Sequence, residues 1–179
     1  MSDMEAARTG TRCSEEDVEA LLEHRATVFL VCLGFVRNRH DAEELAQETY
    51  LRAWRSRGRL REEGSVKAWL CRIARNACLD HVRRTRKGLF RPLLATTDPP
   101  DETDLDAELE DKGRRIALRK AILDLSRPLR DVLVMREYGE LSYEQIAGAL
   151  GVAPGTVMSR LHRARARVAE AVRKHGGRP

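Results

Sequence analysis

Residues 142–168, SYEQIAGALGVAPGTVMSRLHRARARV, constrain the fold more than any other stretch of this chain. They read as a helix, a glycine turn and a second, arginine-rich helix. Ser142 followed three residues later by Gln145 is a capping-box start. Gly151 stands where a helix stops, and Pro154 suits the first turn of the next one. On that second helix Val157, Leu161, Ala164 and Val168 recur with helical period and are expected to pack inward. At about 100° per residue from Val157, Thr156, Ser159, His162 and Arg163 lie on the opposite side, with Arg160, Arg165 and Arg167 as shoulders. A short polar face between arginines is what a helix laid in the major groove needs. The competing reading is a helical hairpin with a solvated basic face; the agreement of cap, turn and polar face favours DNA.

Charge divides the rest of the chain. The formal net charge is +5 over 179 residues. Residues 1–94 hold 18 basic and 14 acidic side chains (+4), residues 95–113 one lysine and eight acids (−7), and residues 114–179 14 basic and six acidic (+8). A basic block, an acidic spacer and a second basic block point to two nucleic-acid-facing modules on a tether. The spacer run TTDPPDETDLDAELED is too polar to fold alone. It reads either as a solvated linker or as an acidic strip that mimics nucleic acid. No strand pattern stands out, so the expected fold is all-α. With no signal-peptide-like apolar run and no apolar stretch of about 18 residues, a soluble, intracellular protein is expected. Cys13, Cys32, Cys71 and Cys78 form no CxxC pair. Cys71, Cys78 and His81 are a candidate metal or redox group, with buried thiols the preferred reading.

Three helices are expected in the first half. Ser14 with Asp17 opens one that carries Val18, Leu21, Leu22, Val28 and Phe29 toward Phe35. Asp41 with Glu44 reads as a capping box before a helix to about Arg55, and Ser65 caps a third to about Arg86. On the middle helix Ala42, Leu45, Ala46, Thr49, Tyr50 and Ala53 form one arc. Gln47, Leu51 and Trp54 fall roughly opposite, among Glu44, Glu48 and Arg55. That second face is either a docking surface for a partner helix or is covered by another part of the same chain. On the third helix Val66, Leu70, Ile73 and Ala77 share a side, Arg72, Arg75 and Asn76 lie away from it, and Trp69 at its edge reads as core. Its end carries Arg83, Arg84, Arg86 and Lys87, suited to phosphates.

Taken in order, these segments resemble the bacterial RNA polymerase sigma factors of the extracytoplasmic-function group, in the sigma-70 family. DAEELAQETYLRAWR (residues 41–55) resembles the core-binding segment, VKAWLCRIARNACLDHVRR (66–84) the promoter-melting helix, and LSYEQIAGALGVAPGTVMSRLHRARARV (141–168) the −35 reader. The resemblance spans about residues 18–172. It implies two small helical domains joined by a flexible acidic linker: region 2 over 15–90, linker 91–113, and region 4, a helix-turn-helix, over 114–173, with residues 1–14 a disordered N-terminus and 174–179 a tail.

It further implies that Asp41, Glu44, Gln47, Glu48, Leu51 and Trp54 meet the β′ clamp helices of core polymerase, while region 4 meets the β flap. Arg72, Arg75, Asn76, Arg83 and Arg84, with the loop from Arg59 to Ser65, would capture the −10 element. Thr156, Ser159, Arg160, His162, Arg163 and Arg167 would read the −35 element. The spacer would thread the polymerase channels, which favours the acidic-mimic reading. One departure concerns the reader: the family usually carries Lys or Arg directly after Gly-Thr-Val, and here Met158 follows.

The expected function is therefore a non-enzymatic specificity subunit without cofactor or metal, cytoplasmic and nucleoid-associated. Its expected partners are core RNA polymerase and promoter DNA, with an anti-sigma factor a further candidate. The chain has no Walker loop, HExxH or nucleophile elbow. The alternative is a stand-alone helix-turn-helix regulator that binds an operator.

Overall fold

The structure, a computed structural model, describes residues 15–36, 38–56, 65–86 and 105–175. These form eight helices: α1 Glu15–Leu22, α2 Arg25–Phe35, α3 Arg39–Arg55, α4 Val66–Arg86, α5 Leu105–Leu123, α6 Arg127–Glu137, α7 Tyr143–Leu150 and α8 Pro154–His175. The fold is all-α. Residues 1–14, the Arg57–Gly64 loop and the apolar-basic stretch after Arg86 lie outside the described residues. So does most of the acidic spacer; α5 begins at Leu105, within the span read as linker, and α8 continues to His175, within the span read as tail.

In the first half α2, α3 and α4 pack on one another. The single first helix read from the Ser14–Asp17 start toward Phe35 is two helices, parted by a turn at Glu23 and His24. The turn lets α2 bury Val28, Val31, Cys32 and Phe35 and leaves Leu22 exposed. The start of α3 also differs from the sequence reading. Asn38, in extended conformation, is the N-cap: its Oδ1 accepts from the Asp41 amide at 2.7 Å and its Nδ2 donates to Asp41 Oδ2 at 2.9 Å. Asparagine is among the best N-caps, so the helix is capped one turn earlier than the Asp41–Glu44 pair suggests.

In the second half α5, α6 and α7 pack on α8. Arg130 joins α5 to α6 by donating to the Ile122, Leu123 and Leu125 carbonyls at and just past the end of α5. The helix-turn-helix has the expected construction. The Gln145 amide donates to Ser142 Oγ at 3.2 Å, and the Ser142 amide to Gln145 Oε1 at 2.8 Å. Gly151 ends α7 at φ 66°, ψ 41°, a left-handed conformation that glycine adopts without strain. Val157, Leu161 and Ala164 are buried as expected, with Val168 half-buried.

Charge patterning carries no information on how the two halves sit, and they pack face to face. Helix α2 meets α5 and α6, and α4 meets α7. Gly34 marks a close approach: a Cβ there would lie 2.9 Å from both methyls of Val134. Three polar pairs cross the same seam. Lys67 Nζ lies 2.9 Å from Glu140 Oε2, Gln145 Nε2 donates to Ser65 Oγ at 3.1 Å, and Arg75 pairs with Asp131.

Candidate polymerase and promoter interfaces

Helix α3 separates its two faces cleanly. Ala42, Leu45, Thr49 and Ala53 are buried, and the Thr49 hydroxyl donates to the Leu45 carbonyl at 2.7 Å, so its burial leaves no donor unmet. On the other side Leu51 is 52% and Trp54 43% exposed, and Gln47 is exposed between them. Of the two sequence readings, covering by the same chain does not occur among the described residues. The acids around this face differ in availability. Glu44 is exposed, 3.4 Å from His40, and Glu48 is half-buried and bound to Arg52 at 2.8 Å. Asp41 is spent on the α3 cap and on His81 Nε2, 3.5 Å away, so it shapes the helix start rather than joining the exposed face.

Helix α4 is more central than its sequence stripe suggests, because it touches α2, α3 and α7 at once. Trp69, Leu70, Cys71, Ala74, Ala77 and Cys78 are all buried, and Trp69 is core as read. Of the side chains read as facing DNA, Asn76, Arg83 and Arg84 are exposed. Arg72 lines a cleft of about 420 Å³ between α4 and α7, with Ser65, Gln145 and Gly148. Arg75 is placed differently from its sequence reading. Its side chain is 13% exposed and pairs with Asp131, 5% exposed, on α6. Its Nη1 donates to Asn76 Oδ1 at 3.0 Å. The sequence signal for Asp131 is slight: an acid beside Arg130 at the head of the apolar run VLVM, where a buried carboxylate needs a cation or hydrogen-bond donors.

Cys32, Cys71 and Cys78 are buried free thiols, and His81 is turned to Asp41, so the residues once grouped as a metal site do not converge. Among the described residues no cluster suited to a metal ion is present. Burial pushes the Cys71 thiol up to about 12. A hydrogen bond with Cys32, then burial, holds Cys78 well above the usual thiol range. Thiolate is the alkylated form, so iodoacetamide at mildly alkaline pH should leave both unlabelled in native protein and label them after denaturation. Mass spectrometry checks this; rapid native labelling would mean that α4 is not packed as described.

Helix α8 exposes Ser159, His162, Arg163 and Arg167, while Thr156 and Arg160 are half-buried. Arg163 Nε donates to the Ser159 carbonyl at 3.2 Å, which leaves its Nη groups on the exposed face. Arg165 is committed elsewhere: its Nη2 and Nε reach Glu137 Oε1 at 2.7 and 3.1 Å.

The chain matches sigma-70 region 2 over residues 21–88 and sigma-70 region 4 over residues 115–168. It is 35% identical over 144 residues to the ECF RNA polymerase sigma factor SigL of Mycobacterium tuberculosis, covering 78% of this chain and 79% of that one. The chain belongs to the ECF sigma-70 family. It is also 33% identical over 159 residues to the ECF RNA polymerase sigma factor SigE of Mycolicibacterium smegmatis, and spans 62% of that relative's length and 88% of its own. Among solved structures it is similar to the sigma factor RpoE of Bartonella quintana in complex with the anti-sigma factor NepR. The TM-score is 0.69 and the identity 27%, over 89% of this chain and 98% of that one. The region 2 match of this ECF sigma-70 chain encloses α3 and α4, and the region 4 match encloses α6 and α7 and runs to Val168 of α8. No described helix is long and apolar enough to cross a membrane.

Proposed function

We propose that the chain binds core RNA polymerase and directs it to promoters through −10 and −35 elements. The observation that carries this reading is the combination, in one ECF sigma-70 chain, of an exposed Leu51–Trp54 face on α3 with a helix-turn-helix whose second helix exposes a polar, arginine-flanked side. Gln47, Glu48, Leu51 and Trp54, with Glu44 at the rim, form the clamp-docking face. Arg72, Asn76, Arg83, Arg84 and, once freed from Asp131, Arg75 serve the −10 element. Thr156, Ser159, Arg160, His162, Arg163 and Arg167 serve the −35 element. Domains run 15–90 and 114–173. The chain catalyses nothing itself: it places polymerase, and trapping unstacked bases helps open the strands, each stacking contact contributing roughly 1–3 kcal/mol. It acts in the cytoplasm, at the nucleoid. The likeness to an anti-sigma complex supports an anti-sigma factor as a regulatory partner. A stand-alone regulator is not favoured, because it leaves the region 2 match and the exposed α3 face without a purpose.

Promoter-dependent run-off transcription with purified core polymerase is the direct test. Folded protein that binds core yet yields no specific transcript from any genomic template would overturn the reading. Arg163→Ala should weaken promoter use by about 1–3 kcal/mol at one base position of the −35 element. An equal loss on every sequence would make Arg163 a phosphate contact instead.

A further inference from the structure

We propose that Met158 is a specificity residue of the reader helix and that it contacts a thymine methyl in the −35 element. The inference rests on the −35 role proposed for α8. Met158 is 57% exposed, a large apolar side chain on the outside of an otherwise polar, basic helix. The core does not need it, since Val157, Leu161 and Ala164 already fill the inward stripe. Helical geometry places it about 100° from Val157 and about 40° from His162, on the flank of the exposed arc. It also sits in the first turns of α8, and reader helices touch base edges with their N-terminal residues. Gly155, in the turn before it, presents no side chain and has open space around it, so the helix start can approach a groove floor closely.

The neighbouring charge is paired at the surface of the free protein. Arg165 follows seven residues later on the same side, and Glu137 holds its guanidinium. Met158 and the exposed His162 are then what this flank offers to DNA. Among the groups on base-pair edges in the major groove, the thymine C5-methyl is the apolar one. A thioether on a flexible unbranched chain packs readily against it.

The test uses holoenzyme and the strongest promoter found by run-off transcription, with each −35 thymine replaced in turn by deoxyuridine, which lacks only the methyl group. At one position the replacement should weaken binding about fourfold, the contribution of one buried methyl. For Met158→Ala holoenzyme the same replacement should have no effect. Met158→Lys should lose the preference for thymine at that position and gain affinity that falls with salt. If no deoxyuridine position matters while Arg163→Ala still loses promoter discrimination, the Met158 contact is wrong and the −35 role stands. If scrambling the whole −35 element changes nothing, both fall.

Discussion

Leu51→Glu should abolish binding to core polymerase and leave the melting curve of the free protein in place. Leu51 is half-exposed on α3, while the side chains that hold α3 against α2 and α4 lie on its other face. A carboxylate at position 51 therefore stays hydrated in the free protein, and surface substitutions of this kind typically shift stability by less than about 0.5 kcal/mol. In the complex the same carboxylate would be desolvated beside Trp54 against an apolar partner. Truncating a central interface residue costs about 2–4 kcal/mol, and a buried unpaired charge adds to this, so affinity should fall by roughly a hundredfold or more. Glu43→Gln, on the same helix but in an exposed pair with Arg39 at 2.8 Å, should leave binding near native. Paired titrations against core polymerase and thermal melts decide the matter. A Leu51→Glu protein that melts early would make Leu51 part of the fold, and one that binds core normally would remove α3 from the interface.

How much of this was legible in the sequence depended on how local the determinant was. The helix-turn-helix could be read to the residue, because Ser142, Gln145 and Gly151 act within one turn of their own position. The two faces of α3 followed from period alone, and only the choice between docking and self-covering needed coordinates. The α1–α2 break was missed because no glycine or proline marks it and Leu21 and Val28 keep helical register across it. The α3 cap was misplaced by one turn because Asp41, a good cap residue, is the partner of a better-placed Asn38. The Arg75–Asp131 pair was the feature of the site least visible in the sequence, since Asp131 lies 56 residues away on the other module. No spacing rule reaches that far.

That pair supports the second large prediction. Asp131→Ala should destabilise the protein by about 3–5 kcal/mol, the usual cost of removing one partner of a buried ion pair. Arg75 would remain in the α4–α6 seam with only Asn76 to receive it; Arg127, 3.8 Å from the same carboxylate, adds a second positive charge. The native pair is itself imperfectly satisfied, because Asp131 Oδ1 and Arg75 Nε have no hydrogen-bond partner. Replacing both members by apolar residues of similar size should then recover most of the loss, and Arg75→Met with Asp131→Leu is the variant to melt. The double variant also separates the two jobs given to Arg75. As a clasp between modules Arg75 is dispensable once Asp131 is gone, whereas as a −10 contact it is not. The expected result is a stable protein that still binds core polymerase and −35 duplex but is slow to open promoters, read by permanganate reactivity of unpaired thymines. A double variant that opens promoters at the native rate would confine Arg75 to the seam and leave base capture to Arg72 and Asn76.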